Sequence, residues 1–140
     1  MKNCVFCRIV RGELPSARLY EDDLVFCFLD IAPINIGHAL LIPKEHHTSI
    51  TTVPASQLQR MLQVAPMIAQ AIVRVVDGDG FNLHLANGAC AGQVVPHTHL
   101  HIIPRLPTDG FSWGWRSLEY GSAAQKDELV QKVIVRLSQP

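Results

Sequence analysis

The stretch "VVPHTHLHIIPR", residues 94–105, sets three of the chain's seven histidines at every second position. Side chains alternate between the faces of a strand, so His97, His99 and His101 are expected on one side, spaced roughly 6 to 7 Å apart. Thr98, Leu100 and Ile102 would face the other way, toward a core. The segment therefore reads as a strand with an apolar back and an imidazole front. Three neighbouring imidazoles repel one another when charged, so at neutral pH at least one should be neutral. A neutral ring keeps one bare nitrogen, available as nucleophile, base or metal ligand. A solvated strand face that happens to carry histidine is the plainer alternative. Against it stands the preceding "NGACAGQ" (87–93), small-residue backbone able to bring N–H groups to an anion such as phosphate.

Working outward, the other elements fall into a short list. Cys4 to Val10 is compatible with a short helix stopped by "GELP" at 12–15. "ARLYED" and "DLVFCFLD" read as a hairpin across the polar "EDD". "IAPINIG" (31–37) is a loop and "HALLIP" (38–43) a central strand. Ser56 is a plausible N-cap for a long helix whose Leu58, Leu62, Ala65, Ile68, Ala69, Ile72 and Val76 recur at helical spacing through Asp77. Pro66, inside it, is expected to kink or split the helix. "FNLHLA" (81–86) is a fourth strand, and Ala123 to about Leu137 a final amphipathic helix. These elements predict one α+β domain over 1–140, with a mainly antiparallel five-stranded sheet, one long helix and short N- and C-terminal helices. Uncovered sheet edges in so small a domain predict a homodimer, with the sheet or a helix at the interface.

Twelve basic residues balance twelve acidic ones, and no basic tract is present. That balance argues against a nucleic-acid polymer as partner, while a small nucleotide remains compatible. The opening "MKNCVFCRIVRGELP" lacks a signal peptide's apolar core, and no run approaches membrane-spanning length, so a cytoplasmic protein without a membrane partner is expected. Four cysteines there do not suggest disulfides. Cys27 and Cys90 are expected to be buried, inert thiols. Cys4 and Cys7 form a C-x-x-C, half of a tetrahedral zinc site or a redox pair. His47 is expected in a solvated loop, and the parity of His84 is left open.

The chain resembles the histidine triad (HIT) family. "AGQVVPHTHLHIIPR" is similar to its His-φ-His-φ-His-φ-φ signature, φ being hydrophobic. "FLDIAPINIGHALLIPKEH" (28–46) is similar to its strand-loop-strand with a separate histidine, His38. "CVFCRIVRGELPSARLYEDD" (4–23) resembles the opening of the Hint-like branch. Together these cover most of residues 4–105 and leave 106–140 as a C-terminal extension.

The resemblance implies a HIT-like fold and hydrolysis or transfer at the α-phosphate of a nucleoside phosphoramidate or related nucleotide. His99 would be the nucleophile and form a nucleotidyl-histidine. His101 would contact phosphate and leaving group, and His97 and His38 would complete the catalytic set. Backbone N–H groups of 92–95 would hold phosphate charge. Val5, Phe6, Ile9, Phe28 and Leu29 would line the pocket for a purine base, with Asp30 on the ribose hydroxyls and Asn87, Gln93 and Val94 near phosphate. Ordinary core packing is the competing account of the apolar members of that set. Ala86 and Val94 replace polar residues that many relatives carry there, deleting side-chain hydrogen bonds. Structural zinc would be held by Cys4, Cys7, His46 and His97, and catalysis would need no cofactor. Rival readings are a dinucleoside polyphosphate hydrolase, a nucleotide-binding regulatory protein with little catalysis, and a zinc-dependent structural module. The tryptophans of "GFSWGWRSLEY" (110–120) are expected to pack in a core or an interface.

Overall fold

The structure is a computed structural model that describes residues 3–112, 114 and 117–139. The chain forms two compact units, Met1–Gly110 and Phe111–Pro140. Trp113 and Trp115 lie outside the described residues, so the packing expected of them is not addressed.

The first unit begins with helix α1 (Val5–Val10), followed by β1 (Arg18–Glu21), β2 (Val25–Leu29) and β3 (Ala39–Pro43). Helix α2 (Ala55–Val75) then leads to β4 (Gly80–His84) and β5 (Leu100–Arg105). The sheet order is β1-β2-β3-β5-β4, with every pairing antiparallel. The expected five-stranded α+β architecture is therefore present. β5, the carrier of the third histidine, sits inside the sheet between β3 and β4.

Strand alternation divides the apolar residues between two layers. Val25, Cys27, Ala39, Leu41, Leu100 and Ile102 pack against Met61, Val64, Ala65, Ile68, Ala69 and Ile72 of α2. Phe26, Phe28, Leu40 and Ile42 face the opposite way and pack with Phe6 of α1. The long helix thus covers one face and the short helix part of the other. Leu100 and Ile102 lie on the α2 side as the alternation predicts, which leaves the odd positions of β5 for the second face.

Three details differ from the sequence expectations. The α2 helix runs unbroken through Pro66, because Pro66 sits on its exposed side, where water can satisfy the carbonyl left without a donor. Its N-cap is Pro54 rather than Ser56, which lies within the first turn. The fifth strand starts at Leu100 rather than near Val94, so His97 and His99 precede the ladder. The reason lies in the hydrogen bonds of Thr98, whose backbone N–H and side-chain hydroxyl both donate to the carbonyl of His47. That loop contact takes the place of a strand partner.

The loop into β3 turns at Gly37, which has φ of +94°. A Cβ there would come within 2.7 Å of the Ile72 side chain, so both handedness and space call for glycine. This close approach sets the next residue, His38, at the mouth of β3.

The second unit contains α3 (Ala123–Leu137). Ser122 and Gln125 form a reciprocal capping box at its start, and Glu128 pairs with Lys132 one turn apart. Among the described residues, no helix is long and apolar enough to cross a membrane.

Candidate active site and metal centre

Hydrogen bonds fix the tautomers of four imidazoles, and the tautomers define the site. The His99 Nδ1–H donates to the carbonyl of His97 at 2.6 Å, since that oxygen can only accept. The neutral His99 ring therefore keeps a bare Nε2. The backbone N–H of Ile34 donates to His38 Nδ1 at 3.1 Å, which places the His38 proton on Nε2. From there it is shared with His101 Nδ1 at 2.9 Å. His101 consequently carries its own N–H on Nε2, ready to donate. Asp30 lies 3.7 Å from His38 Nε2 and biases the chain of imidazoles from behind.

The rings stand close together. His99 and His101 have centroids 4.9 Å apart, and His38 and His101 are 5.1 Å apart. His97, His99 and His38 are buried. The front of the strand is thus a lined interior rather than the solvated face of the plainer reading. Burial pushes His101 down to about 4, helped by repulsion from His99 and His38. His97 is likewise pushed down to about 4 by burial, against the opposing bond to the Pro43 carbonyl. Burial also lowers His38, with Asp30 pulling the other way. His38, His97 and His101 are thus biased toward their neutral forms.

A stability prediction follows from these directions. The unfolded chain binds protons on His97 and His101 near the ordinary 6.5, whereas the folded chain resists until about 4. Their contribution to stability is complete above 6.5 and is lost as pH falls toward 4. The melting temperature of metal-free protein should fall by at least about 5 °C between pH 7 and pH 5. A flat or rising profile across that interval would contradict the buried, neutral assignment.

Phe6 links the imidazoles to the residues expected at a base pocket. Its ring meets Phe28 at 5.5 Å, His97 at 5.8 Å and His99 at 5.4 Å, all edge to face. Ile9 packs against this cluster, while Val5 is exposed. Leu29 departs from the expected pocket, because alternation turns it from Phe28's face toward the α2 layer. Asp30 is half-buried, and its Oδ1 accepts the N–H of Ala32, leaving Oδ2 toward His38.

In the loop expected to meet phosphate, backbone and amide groups are engaged within the chain. The Gly92 and Gln93 N–H groups donate to the carbonyls of Ala89 and Gly88, within a 3-10 turn and its exit. They are spent on the loop, which leaves Val94 and Val95 as candidate anion donors. The Gln93 side chain accepts from Gly88 N–H and donates to the Thr48 carbonyl. Asn87 Oδ1 accepts from Ser49 Oγ and the N–H of Ile50. Both amides staple the loop to residues 48–50 in this structure. The Val94 side chain is exposed.

Cys4, Cys7, His46 and His97 form a second cluster, each offering one ligand atom within 4.8 Å of the others. His97 Nδ1 lies 3.5 Å from Cys4 Sγ and 3.6 Å from Cys7 Sγ, and His46 Nδ1 lies 3.3 Å from Cys7 Sγ. His97 donates its Nε2–H to the Pro43 carbonyl at 2.9 Å, so its Nδ1 is bare and directed at the thiols. Two thiols and two imidazoles are a normal donor set for tetrahedral zinc, and an outward N–H bond to a carbonyl is the usual support for a ligating histidine. The residues fit the metal. Burial and the neighbouring Cys4 thiol raise Cys7, a cost that a divalent cation would remove.

Two histidine and cysteine assignments change and one holds. His47 is largely buried at 16% side-chain exposure, with Nε2 3.5 Å from Glu45, rather than solvated. Cys27 is buried and its thiol is pushed up to about 12, as an inert core thiol should be. Cys90 is exposed on the 3-10 turn Ala89–Ala91, because that turn projects from the loop. The parity of His84 is also settled: it sits directly opposite His101 on β4.

Residues 11–108 match the family described as HIT domain. The chain belongs to the HIT family. Adenylylsulfatase HINT3 of Arabidopsis thaliana is 46% identical over 131 residues, covering 94% of this chain and 66% of that protein. The chain thus spans just under two thirds of that relative's length. Adenosine 5'-monophosphoramidase HNT1 of Candida albicans is 36% identical over 118 residues, covering 81% of this chain and 78% of its own. Among solved HIT structures, a zinc-bound histidine triad family protein from Mycobacterium smegmatis superposes with a TM-score of 0.76 at 35% identity, covering 97% of this chain and 96% of that one. The HIT signature and its separate histidine are thus the residues that converge in space here, His38 bonding to His101 beside His99.

Proposed function

We propose that this HIT protein is a nucleotide hydrolase that cleaves at the α-phosphate of a nucleoside phosphoramidate or a related mixed anhydride. The observation that carries the reading is the His99 tautomer. With Nδ1–H held by the His97 carbonyl, Nε2 is the nitrogen able to attack phosphorus. The leaving group departs with the bonding electron pair. An amine takes a proton from His101 Nε2–H, whereas an acidic oxyanion leaves without one. Water then attacks the nucleotidyl-histidine, the N–P bond breaks, and its electron pair returns to Nε2. One water proton stays on the product hydroxyl; the other restores the His101 Nε2–H where an amine took it, and is released to solvent where an oxyanion left. Phe6 and Phe28 would hold the base, and Asp30 the ribose.

The named activities of the two relatives, on an adenylyl sulfate and an adenosine phosphoramidate, favour this over the regulatory alternative. The bare nucleophile also favours catalysis, since binding alone needs no such nitrogen. Zinc would occupy Cys4, Cys7, His46 and His97, and would supply a cross-link between α1 and the sheet rather than chemistry. A homodimer suits the open edges of β1 and β4. The free thiols and neutral charge suit the cytoplasm.

The test is intact-protein mass spectrometry after brief mixing with an adenosine phosphoramidate. A transient adenylyl adduct on wild type, absent from His99→Asn, followed by nucleoside monophosphate, is the expected result. No adduct and no product, with nucleotide still bound and a dinucleoside polyphosphate also untouched, would move the protein to the regulatory class.

A further inference from the structure

The described mechanism leaves one imidazole of the catalytic face unused. His84 ends β4, and its antiparallel register places it directly across from His101. Directly opposed residues share a face, so His84 stands on the same side of the sheet as the reactive imidazoles. The two ring centroids are 5.8 Å apart. β4 alternates half-buried and exposed positions, and His84 is on the half-buried set with Asn82. The row of rings on this face therefore runs His99, His101, His84, and His84 lies beyond His101, on the side away from the His38 contact of β3.

His101 is the group beside the nucleophile with an N–H to give, so the leaving group is expected near it. Leaving groups make two different demands. A departing amine needs a proton, which a single acid can supply. A departing sulfate or carboxylate is a weak base that needs no proton but carries a full negative charge, best spread over several N–H donors. A second imidazole beside His101 answers the second demand. Ala86, two residues beyond the end of β4, supplies no side-chain hydrogen bond of its own.

We infer that His84 is a specificity-determining residue that donates a hydrogen bond to oxyanion leaving groups, extending the substrate range from phosphoramidates to mixed anhydrides of nucleoside monophosphates. The inference rests on the covalent hydrolase reading above. In the step concerned, His99 Nε2 forms the N–P bond, the P–O bond to the leaving group breaks, and the electron pair stays on the departing oxygen. His84 and His101 hold that oxygen by N–H donation, and no proton is transferred to it.

The experiment compares kcat/KM for adenylyl sulfate and for adenosine 5'-phosphoramidate in wild type, His84→Leu and His84→Gln. His84→Leu should lose about tenfold or more on adenylyl sulfate, chiefly in kcat, and less than about threefold on the phosphoramidate. His84→Gln keeps an N–H donor and should fall between Leu and wild type on adenylyl sulfate. Equal losses on both substrates, or no loss on either, would overturn the inference, the former by making His84 a positioning residue for His101. Wild type active on the phosphoramidate but inert on adenylyl sulfate would overturn it too. Wild type inert on both would sink the hydrolase reading and the inference with it. Nucleoside monophosphate affinity, expected unchanged in His84→Leu, reports that the pocket has folded.

Discussion

His99→Asn is expected to turn over an adenosine phosphoramidate on the order of 10⁴-fold more slowly than wild type, with nucleoside monophosphate binding changed by less than about threefold. Asparagine can keep a donor toward the His97 carbonyl, but it has no basic nitrogen at the Nε2 position to form a bond to phosphorus. On the proposed reading the substrate still meets Phe6 and Phe28, so affinity should survive the loss of rate. The fold should survive as well, because Leu100 and Ile102 on the other face of the strand are untouched. Single-turnover kinetics with excess enzyme gives the clean comparison. A variant that keeps a tenth of the wild-type rate would mean that another group attacks, or that water attacks directly without an adduct.

Cys4→Ser should remove most of the bound zinc from protein purified with metal. It should lower the melting temperature by more than about 10 °C, while nucleotide affinity falls far less. The magnitude follows from linkage: a metal bound at a thousandfold over its dissociation constant stabilises by about 4 kcal/mol, all of which the variant forfeits. Elemental analysis beside a thermal melt checks both halves. Zinc content equal to wild type would show that Cys4 is not a ligand. A melt unchanged after zinc loss would show that the cluster is occupied without stabilising anything.

Local patterning carried the sheet, the helices and the order of the histidines. Period-two alternation correctly separated Leu100 and Ile102 from the imidazoles, because both faces of β5 are packed and any slip would bury the wrong set. It failed where tertiary contacts overrule local pattern. Thr98 reads as one more strand position, but its donors go to His47, a residue 51 positions away that no local pattern indicates. Gln93 and Asn87, which the resemblance sets near phosphate, have amides bonded to residues 48–50, contacts that local pattern does not indicate either. The resemblance sets Phe28 and Leu29 together at the base pocket, but adjacent strand residues face opposite sides, and the Leu29 side chain turns toward the α2 layer. The same rule could have found His84, had the register of β4 against β5 been known. Register depends on how the 85–99 segment folds, and composition does not reveal that.

His97 is held three ways at once. One ring nitrogen faces the thiols, the other donates to Pro43, and its carbonyl accepts from His99 Nδ1–H. For anyone mapping this protein by mutational scanning, the consequence is a blind spot. A dead variant at position 97 would be scored as catalytic whichever duty had failed, and a catalogue built from activity alone would overcount the chemistry. Residues that belong to a single set, such as Cys4 for the metal and His38 for the imidazole pair, can be altered one duty at a time.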